Sequence, residues 1–415
     1  MGIEFENLYS DLAANMKASE IRELLKLTAN PDIISFAGGL PNPEAFPIKE
    51  IGEIIDEVLR DHGPVALQYG ATEGVPQFRD WMKEDYAKLG EFHDGDELII
   101  TNGSQQALDL LGKILLNDGD KVVAEAPTYL GGSNAFKVYG CDVIHVEMDG
   151  QGMKIDELEE TLRRLDKVDK LPKFLYVIPT FQNPAGVTMP DKRRKALLDI
   201  VYQYDDLLIL EDNPYGRLRF EGEPQHSIKS HDHEGRVLSM KTLSKILVPG
   251  FRIGVVTGPE ELIHKLVFAK QSADLCSPAF NQFVAWKYME YGYVEKQIKL
   301  ICEMYKRKRD LMLEAMDEHM PEGVNWTRPE GGMFLWATIK GGINTDDLFY
   351  RAIKKNVAFV VGRPFYTDGR GTDSMRLNFS YSEDDIIDEG IRRLSEAIEE
   401  EQMNHHRKEE YPAHP

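Results

Sequence analysis

The chain has 415 residues, and its 49 lysines and arginines stand against 70 aspartates and glutamates, which gives a net charge of −21. A hydrophobic fraction of 42% is ordinary for a folded globular protein, and the acidic balance excludes nucleic acid or an anionic membrane as the main partner, because a polyanion would be repelled. The three cysteines form neither a disulfide framework nor a CxxC metal site. No apolar run reaches the roughly 18 residues that span a bilayer, and the N-terminus lacks the features of a signal peptide. The sequence therefore predicts a cytoplasmic protein.

The first part of the chain is predicted to be mainly helical. Apolar residues recur at helical spacing in 20–28 and again in 48–59, and an apolar run followed by a turn rich in glycine and proline lies between them. A further helix is expected to begin at Pro76, a residue favoured in the first helical turn, and to bury Phe78, Trp81 and Met82.

Between residues 95 and 260, short β-type runs alternate with helical patterns. The runs are 98–100, 122–123, 143–144, 174–178, 207–210, 237–238 and 253–256. Several of them carry apolar residues at consecutive positions, as strands covered on both faces do. This alternation predicts an α/β fold with a mostly parallel sheet.

The last third of the chain has a different pattern. After a helix-rich stretch, strands are predicted at 333–339, 358–361 and 375–379. Helices are predicted at 345–356 and 382–401, between and after these strands. The pattern is typical of a smaller α+β unit.

Three polar segments directly follow or precede the predicted strands, where open α/β sheets place their ligands. The first, TNGSQQ at 101–106, leads from a strand into a helix and offers backbone N–H groups to an anion. The second, EDNPY at 211–215, puts a carboxylate beside a buried sheet, which is costly unless a cation accompanies it. Taken alone, the first is typical of a helix cap and the second of a turn.

The third segment holds Thr242, Ser244 and Lys245, and Arg252 follows it in PGFRIG at 249–254. A lysine between two apolar runs is expected to be partly buried, which lowers its pKa and makes it a nucleophile. Taken alone, a surface lysine is the commoner kind. Together, an anion cradle, a buried carboxylate, an activated lysine and an arginine are what a pyridoxal phosphate site needs.

An ordered set of motifs supports this interpretation over nearly the whole chain, from about residue 17 to 398. The motifs are ISFAGGLP (34–41), QYG (68–70), GSQQ (103–106), PTY (127–129), QNPAG (182–186), EDNPY (211–215), SK (244–245), PGFRIG (249–254), PEGGMF (329–334) and Arg376. With them the sequence resembles a fold-type I pyridoxal phosphate enzyme of the class I/II aminotransferase family. The similar branch contains the 2-aminoadipate and kynurenine aminotransferases and the aminotransferase-like part of MocR-type regulators.

The resemblance implies roles around the cofactor ring. Lys245 would be the Schiff-base lysine and would afterwards move the proton between the substrate Cα and the cofactor. Asp212 would pair with the pyridine nitrogen, and Asn183 and Tyr215 would hydrogen-bond the 3′-oxygen. Tyr129 would stack on the ring.

The resemblance also implies the residues around the phosphate. They are Gly103, Ser104, Gln105, Thr242, Ser244 and Arg252, with Tyr69 reaching the phosphate of the opposite subunit in an obligate homodimer. Lys241 stands where this family usually has a small residue, which bears on the packing near Thr242.

The resemblance assigns four residues to the substrate. Arg376 would clamp the α-carboxylate bidentately, with Asn183 beside it, and Gly39 would let the backbone approach the substrate. Arg22 could bind a side-chain carboxylate, and a solvated helix face is an equally good interpretation.

The fold implied by the resemblance is α/β, fold type I, with a seven-stranded, mostly parallel sheet in a large domain at 47–300. The smaller α+β domain would combine 1–46 with 301–415. The implied reaction moves the amino group of an L-amino acid, such as 2-aminoadipate, glutamate, an aromatic or a branched residue, to a 2-oxo acid. The expected acceptor is 2-oxoglutarate, in a ping-pong sequence through pyridoxamine phosphate.

Two other functions remain open at this point. A lyase, for example one that breaks carbon–sulfur bonds, could use the same site. A MocR-type ligand-binding regulator is the second, although the motifs begin within the first forty residues and leave no room for a DNA-binding unit before them. No metal is expected, because His226, His231 and His233 fall in a polar loop without a nearby carboxylate-rich helix.

Overall fold

The computed structural model describes residues 3–16 and 30–410, so the helix predicted at 20–28 lies outside the described residues. The described helices are α1 (Asp11–Asn15), α2 (Ile48–Ala66), α3 (Pro76–Lys88), α4 (Ser104–Leu115), α5 (Leu130–Lys137), α6 (Ile155–Asp166), α7 (Asp191–Val201), α8 (Glu260–Ala273), α9 (Ala279–Glu290), α10 (Tyr293–His319), α11 (Thr345–Lys354) and α12 (Asp384–Glu410). The strands are β1 (Ile34–Ser35), β2 (Asp96–Thr101), β3 (Lys121–Ala126), β4 (Asp142–Asp149), β5 (Gly152–Met153), β6 (Phe174–Val177), β7 (Leu208–Asp212), β8 (Val237–Thr242), β9 (Gly254–Pro259), β10 (Val324–Trp326), β11 (Phe334–Ile339), β12 (Val357–Ala358), β13 (Val360–Val361) and β14 (Ser374–Asn378).

The larger sheet has the strand order β2-β9-β8-β7-β6-β3-β4-β5. Strands β8, β7, β6, β3 and β4 pair in parallel, whereas β9 runs antiparallel to both of its neighbours. The predicted mostly parallel sheet is confirmed, but it has eight strands rather than seven. The additional strand, β5, is two residues long and pairs antiparallel with the end of β4 at the edge of the sheet.

Helices cover both faces of this sheet. On one face, Leu108 of α4, Phe136 of α5 and Leu266 of α8 are buried in one cluster. On the other face, Leu158 of α6 and Leu197 of α7 are buried in a second cluster. Each such side chain contributes about 1.5–3 kcal/mol relative to an exposed position. This double cover explains why the strands are apolar at consecutive positions.

The smaller sheet is antiparallel, with the order β10-β11-β14-β13. The single strand predicted at 358–361 is wrong, because this run is divided between two sheets. Its first part, β12, pairs in parallel with β1 near the N-terminus, whereas β13 pairs with β14. Four consecutive apolar residues look alike in the sequence whichever sheet they enter, so the division could not be seen there.

The chain direction brings several loops to one edge of the larger sheet. Strands β2, β3, β6, β7 and β8 all end at this edge, since they run in the same direction. Because β9 runs the opposite way, it begins at the same edge, and its first residue, Gly254, lies opposite Thr101 at the end of β2. None of the helices in the described ranges is both long enough and apolar enough to cross a membrane.

Candidate active site

The loop between β2 and α4 forms a tight cradle of backbone N–H groups. Gly103 precedes α4 with φ +73°, a conformation that favours glycine. A Cβ atom at Gly103 would lie 2.5 Å from Nη2 of Arg252, and one at Gly254 would lie 2.8 Å from the backbone nitrogen of Ser104. The first N–H groups of a helix have no partner within the helix, so this close-packed loop can hold an anion.

Hydroxyl groups and a guanidinium surround the same cradle. Oγ of Ser104 is buried and has no hydrogen-bond partner among the described residues. The hydroxyls of Thr242 and Ser244 lie 2.9 Å apart in the turn that follows β8. Arg252, with a left-handed φ of +53°, donates to the carbonyl of Asn102 at 3.4 Å and forms no ion pair with any carboxylate in the described ranges. These donors match the chemistry of a phosphate.

Gln105 and Tyr129 lie next to each other beside the cradle. The side-chain amide of Gln105 donates to the carbonyl of Gly131 at 2.9 Å, and its oxygen lies 3.4 Å from the hydroxyl of Tyr129. A Cβ at Gly131 would come within 2.4 Å of the Tyr129 ring, so glycine makes room for this ring at the start of α5. The Gln105 side chain is therefore engaged with α5, and its backbone N–H is the group available to an anion.

Asp212 is a buried carboxylate at the end of β7, with 3% of its surface exposed. Its Oδ2 accepts a hydrogen bond from the hydroxyl of Tyr176 at 2.9 Å, whereas its Oδ1 is buried without a partner among the described residues. Burial raises the pKa of Asp212 to about 7, and the Tyr176 hydroxyl acts in the opposite direction. A protonated pyridine nitrogen is the kind of group that would satisfy this oxygen, so the site fits the cofactor ring.

Lys245 lies in a 3₁₀ turn directly after β8, and its Nζ donates to the carbonyl of Gly39 at 3.0 Å. Burial lowers its pKa to about 8, with further contributions from the charges of Arg376 and Arg252. A neutral, nucleophilic amine is therefore accessible at ordinary pH. Lys241 is different, because it pairs with the carboxylate of Glu91 away from this turn.

Arg376 on β14 is 6% exposed and lies over the ring of Phe334, 4.2 Å from its centroid. It donates to Oδ1 of Asn183 at 3.0 Å and to the carbonyl of Ala37 at 3.2 Å, while its Nε is buried with no hydrogen-bond partner in the described ranges. Burial lowers its pKa to about 10, and no acidic side chain in the described part of the chain pairs with it. A Cβ at Gly39 would lie 3.9 Å from Nη2 of Arg376. A buried guanidinium without a carboxylate is suited to an anionic ligand.

Asn183 connects the two halves of the site. It precedes Pro184 across a cis peptide bond, and its side-chain nitrogen lies 3.5 Å from the hydroxyl of the buried Tyr215. The neighbouring Gln182 donates to the carboxyl group of Glu125 at 3.2 Å. Burial raises the pKa of Glu125 to about 8. This buried acid therefore supports the loop that presents Asn183.

The structure does not bring every predicted residue to this place. The side chain of Tyr69 is 80% exposed in the single chain, and Arg22 lies outside the described residues. Conversely, Tyr176, Phe334 and Glu125 contact site residues, and no role was predicted for them from the sequence. Two sequence features could have indicated them: Phe334 belongs to the motif PEGGMF at 329–334, and Tyr176 carries the only hydroxyl of its strand.

The loop histidines lie apart from this site. Helix α7 is not carboxylate-rich, since it holds two aspartates against four basic residues, but a carboxylate oxygen of its first residue, Asp191, lies 2.6 Å from Nδ1 of His226. One ring nitrogen of His231 lies within 4.8 Å of a carboxylate oxygen of Asp191 and of a ring nitrogen of His226. Asp191 and His226 are 35 residues apart in the sequence, and β7 lies between them, so the local pattern did not reveal this contact.

A substitution at Gly103 tests the cradle. We expect Gly103→Ala to weaken the binding of inorganic phosphate about tenfold, because the new Cβ would displace Arg252. Isothermal titration at constant ionic strength measures this affinity. Gly119→Ala is the matched control, since Gly119 has a similar φ of +80° but nothing within 4 Å of the added Cβ. Both variants should lose about 1–2 kcal/mol of stability from the left-handed backbone, and equal phosphate affinities would contradict the cradle.

The chain is similar to known transaminases over nearly its whole length. Residues 37–394 match the family model of aminotransferase class I and II. The aromatic-amino-acid aminotransferase 1 of Thermococcus litoralis is 51% identical, with 96% of each chain covered. The 2-aminoadipate transaminase of Thermus thermophilus is 41% identical, over 93% of this chain and 95% of that protein.

A solved structure leads to the same family. The multiple substrate aminotransferase of Thermococcus profundus is 49% identical and superposes with a TM-score of 0.94, covering 97% of this chain and all of that one. The identities, the fold-type I architecture and the cofactor-shaped site agree. The chain belongs to the aminotransferase class I and II family and is a pyridoxal phosphate-dependent transaminase.

Proposed function

We propose that this transaminase moves the amino group of aromatic, branched and acidic L-amino acids to 2-oxoglutarate, in two successive half-reactions. The observation that carries the proposal is the arrangement around the segment 37–39. The Lys245 amine and the Arg376 guanidinium each donate to a carbonyl of this segment. The Lys245 amine can act on the α-carbon of an amino acid while the Arg376 guanidinium binds its α-carboxylate. The relatives that accept aromatic amino acids and 2-aminoadipate support the donor range.

The residues toward the cofactor have the roles that their chemistry suggests. When bound, pyridoxal phosphate supplies an electron-accepting ring that carries the amino group between substrates. Oδ1 of Asp212 would hold the proton on the pyridine nitrogen, and Asn183 and Tyr215 would bind the 3′-oxygen. Tyr129 would cover the ring. The phosphate would be held by the backbone N–H groups of 103–105, by the hydroxyls of Ser104, Thr242 and Ser244, and by Arg252.

Substrate contacts follow from the other half of the site. Arg376 would bind the α-carboxylate through two of its nitrogen atoms, beside Asn183 and the backbone of Gly39. Lys245 would take the proton from the α-carbon and deliver it to the cofactor carbon that receives the amino group, because its lowered pKa leaves about half of the amine neutral at pH 8. Arg22 remains a prediction for the side-chain carboxylate of acidic donors.

A donor panel tests this function. Purified enzyme loaded with pyridoxal phosphate is mixed with 2-oxoglutarate and one amino acid, and glutamate formation is measured. We expect turnover with 2-aminoadipate and with aromatic and branched donors, and the oxo-acid product should form from the donor in a stoichiometric burst without 2-oxoglutarate. Absence of glutamate with every donor, or ammonia release independent of the oxo acid, would contradict the proposal, and the second result would indicate a lyase.

The pH dependence of stability tests Asp212. Its pKa of about 7 in the folded protein lies above the unfolded value near 3.8, so folding binds a proton in this range. Stability therefore falls as pH rises from about 4 to 7, by up to about 1.4 kcal/mol per pH unit. We expect the free energy of unfolding of apo Asp212→Asn to lack this fall. Relative to the wild-type apoprotein, it should therefore rise by about 2 kcal/mol between pH 5.5 and 8.

The measurement is urea unfolding of both apoproteins at the two pH values. Asp232→Asn is the control. Burial opposes ionisation of Asp232, but hydrogen bonds from the backbone of Arg236 and Val237 outweigh it and lower its pKa. Asp232 therefore titrates below about pH 4 in the folded and the unfolded protein, and the stability difference between this variant and wild type should be the same at both pH values. An unchanged difference between wild type and Asp212→Asn would contradict the assignment.

A homodimer with shared active sites is supported by an exposed apolar segment. Val65, Leu67 and Tyr69 are 64%, 71% and 80% exposed in the single chain. Such a patch marks an interaction surface, and Tyr69 would reach the phosphate bound by the partner subunit. Sedimentation analysis should find a dimer, and a monomer at micromolar concentration would contradict this arrangement.

Two domains are proposed, one at 47–300 and one that combines 1–46 with 301–415. The pairing of β1 with β12 supports the joining of the N-terminal segment to the C-terminal part. The boundary at 300 falls within α10, so this helix would belong to both. A cytoplasmic location is supported by the three cysteines, which are all unpaired, as is usual in a reducing compartment.

A further inference from the structure

The two oxygens of the Asp212 carboxylate have different surroundings. Oδ2 accepts from the Tyr176 hydroxyl at 2.9 Å, and Oδ1 has no partner among the described residues. No cation pairs with either oxygen in the described ranges. A buried carboxylate without a cation tends to take up a proton, as the raised pKa of Asp212 indicates. Among the described residues, the Tyr176 hydroxyl is the group that favours the ionised form of Asp212.

Tyr176 is held firmly in its place. It is fully buried on β6, next to β7, and its ring packs against the edge of Phe136, with centroids 5.4 Å apart. A Cβ at Gly132 would lie 2.7 Å from the Tyr176 ring, so the first turn of α5 has glycine where this ring passes. Burial and the neighbouring Asp212 raise the pKa of Tyr176 well above its usual value. The hydroxyl therefore stays protonated and can only donate to Asp212.

We propose that Tyr176 is a positioning residue for the cofactor: its hydroxyl holds Oδ2 of Asp212 and keeps the carboxylate ionised, which leaves Oδ1 for the pyridine nitrogen. This inference rests on the proposed function of the site. Phenylalanine would fill the same space against Phe136 and Gly132, so packing alone does not need the hydroxyl. The hydroxyl instead acts on the ionisation of the Asp212 carboxyl group, and binding of the cofactor ring depends on that ionisation.

The test compares Tyr176→Phe with wild type in binding of two ligands to the dialysed apoprotein. Pyridoxal phosphate reports on the ring and the phosphate together, and glycerol 3-phosphate reports on the phosphate cradle alone. At pH 8 we expect the affinity for pyridoxal phosphate to fall about tenfold, the effect of losing one hydrogen bond to a charged group. The affinity for glycerol 3-phosphate should stay within twofold. The pH midpoint of pyridoxal phosphate binding should move upward, because Asp212 then ionises less readily.

Tyr202→Phe is the matched control. It also removes a hydroxyl that donates to a buried aspartate, Asp232, with a hydrogen-bond length of 3.0 Å, but this pair lies outside the site. This variant should leave both affinities and the pH midpoint unchanged. Two results would overturn the inference: unchanged pyridoxal phosphate binding in Tyr176→Phe, or an equal loss for both ligands, which would mean a general structural role. If the wild-type apoprotein binds no pyridoxal phosphate, the proposed function itself has failed, and this result is distinct from the other two.

Discussion

Replacing Lys245 with alanine should abolish amino-group transfer and leave the protein folded. The Lys245 amine is the proposed nucleophile just after β8, and burial lowers its pKa to about 8. Among the described residues it forms no ion pair, and its Nζ donates a hydrogen bond to the Gly39 carbonyl. Because the side chain holds no structural network together, its loss should cost little stability. Turnover should fall by about 10⁴-fold or more, since both a nucleophile and an acid–base group are removed.

The measurement is glutamate formation in the donor panel, together with thermal unfolding. Lys241→Ala is the matched control, because Lys241 lies four residues earlier and pairs with Glu91 rather than facing the site. Its turnover should stay within about twofold of wild type. A small primary amine added to Lys245→Ala should restore part of the activity, as expected when the missing group is an amine. Near-normal turnover of Lys245→Ala without added amine would contradict the mechanism.

Much of the site was predictable because its residues follow strands. Asp212 is the last residue of β7, and Gly103 and Lys245 lie within three residues of the ends of β2 and β8. Strands that run in the same direction end at one edge of a sheet. Arg252 precedes its strand, yet it joins the others because β9 runs antiparallel and begins at the same edge. Its proximity to Gly103 was implied by the family resemblance and could not follow from strand order alone.

The contacts that were not predicted depend on tertiary packing. Tyr176 lies within an apolar strand, and nothing local indicates that its hydroxyl meets Asp212 on the next strand. Likewise, Arg376 lies over Phe334 because β11 and β14 are neighbours in the smaller sheet. The role proposed for Tyr69 needs a second subunit, which a single chain does not contain.

The protein has a net charge of −21, whereas the charged side chains proposed to bind its ligands are mainly basic. Lys245, Arg252 and Arg376 form no ion pair with a described carboxylate, although acidic residues outnumber basic ones in the chain. Arg376 is buried, and an unpaired buried charge costs stability, so the protein retains this guanidinium at the expense of its own folding free energy. Anionic ligands that supply the missing partners should therefore stabilise the folded state.

Arg376→Lys should reduce kcat/KM about 100-fold for every amino-acid donor. Lysine keeps the positive charge but cannot offer two parallel N–H groups to a carboxylate. The loss corresponds to about 2.7 kcal/mol, within the range for hydrogen bonds to charged groups. It should appear mainly in KM, because the α-carboxylate is bound in the ground state and in the transition state alike. Binding of pyridoxal phosphate should stay within a few-fold of wild type.

The uniformity of this effect across donors is what identifies the clamp. Every amino acid carries the same α-carboxylate, so aromatic donors and 2-aminoadipate should lose kcat/KM by similar factors. A residue that reads the side chain would instead separate the two classes of donor. Arg392→Lys is the control, since Arg392 forms exposed ion pairs with Glu389 and should leave the kinetics unchanged. If Arg376→Lys kept kcat/KM within a few-fold of wild type, or changed it for one donor class only, the α-carboxylate would be bound elsewhere.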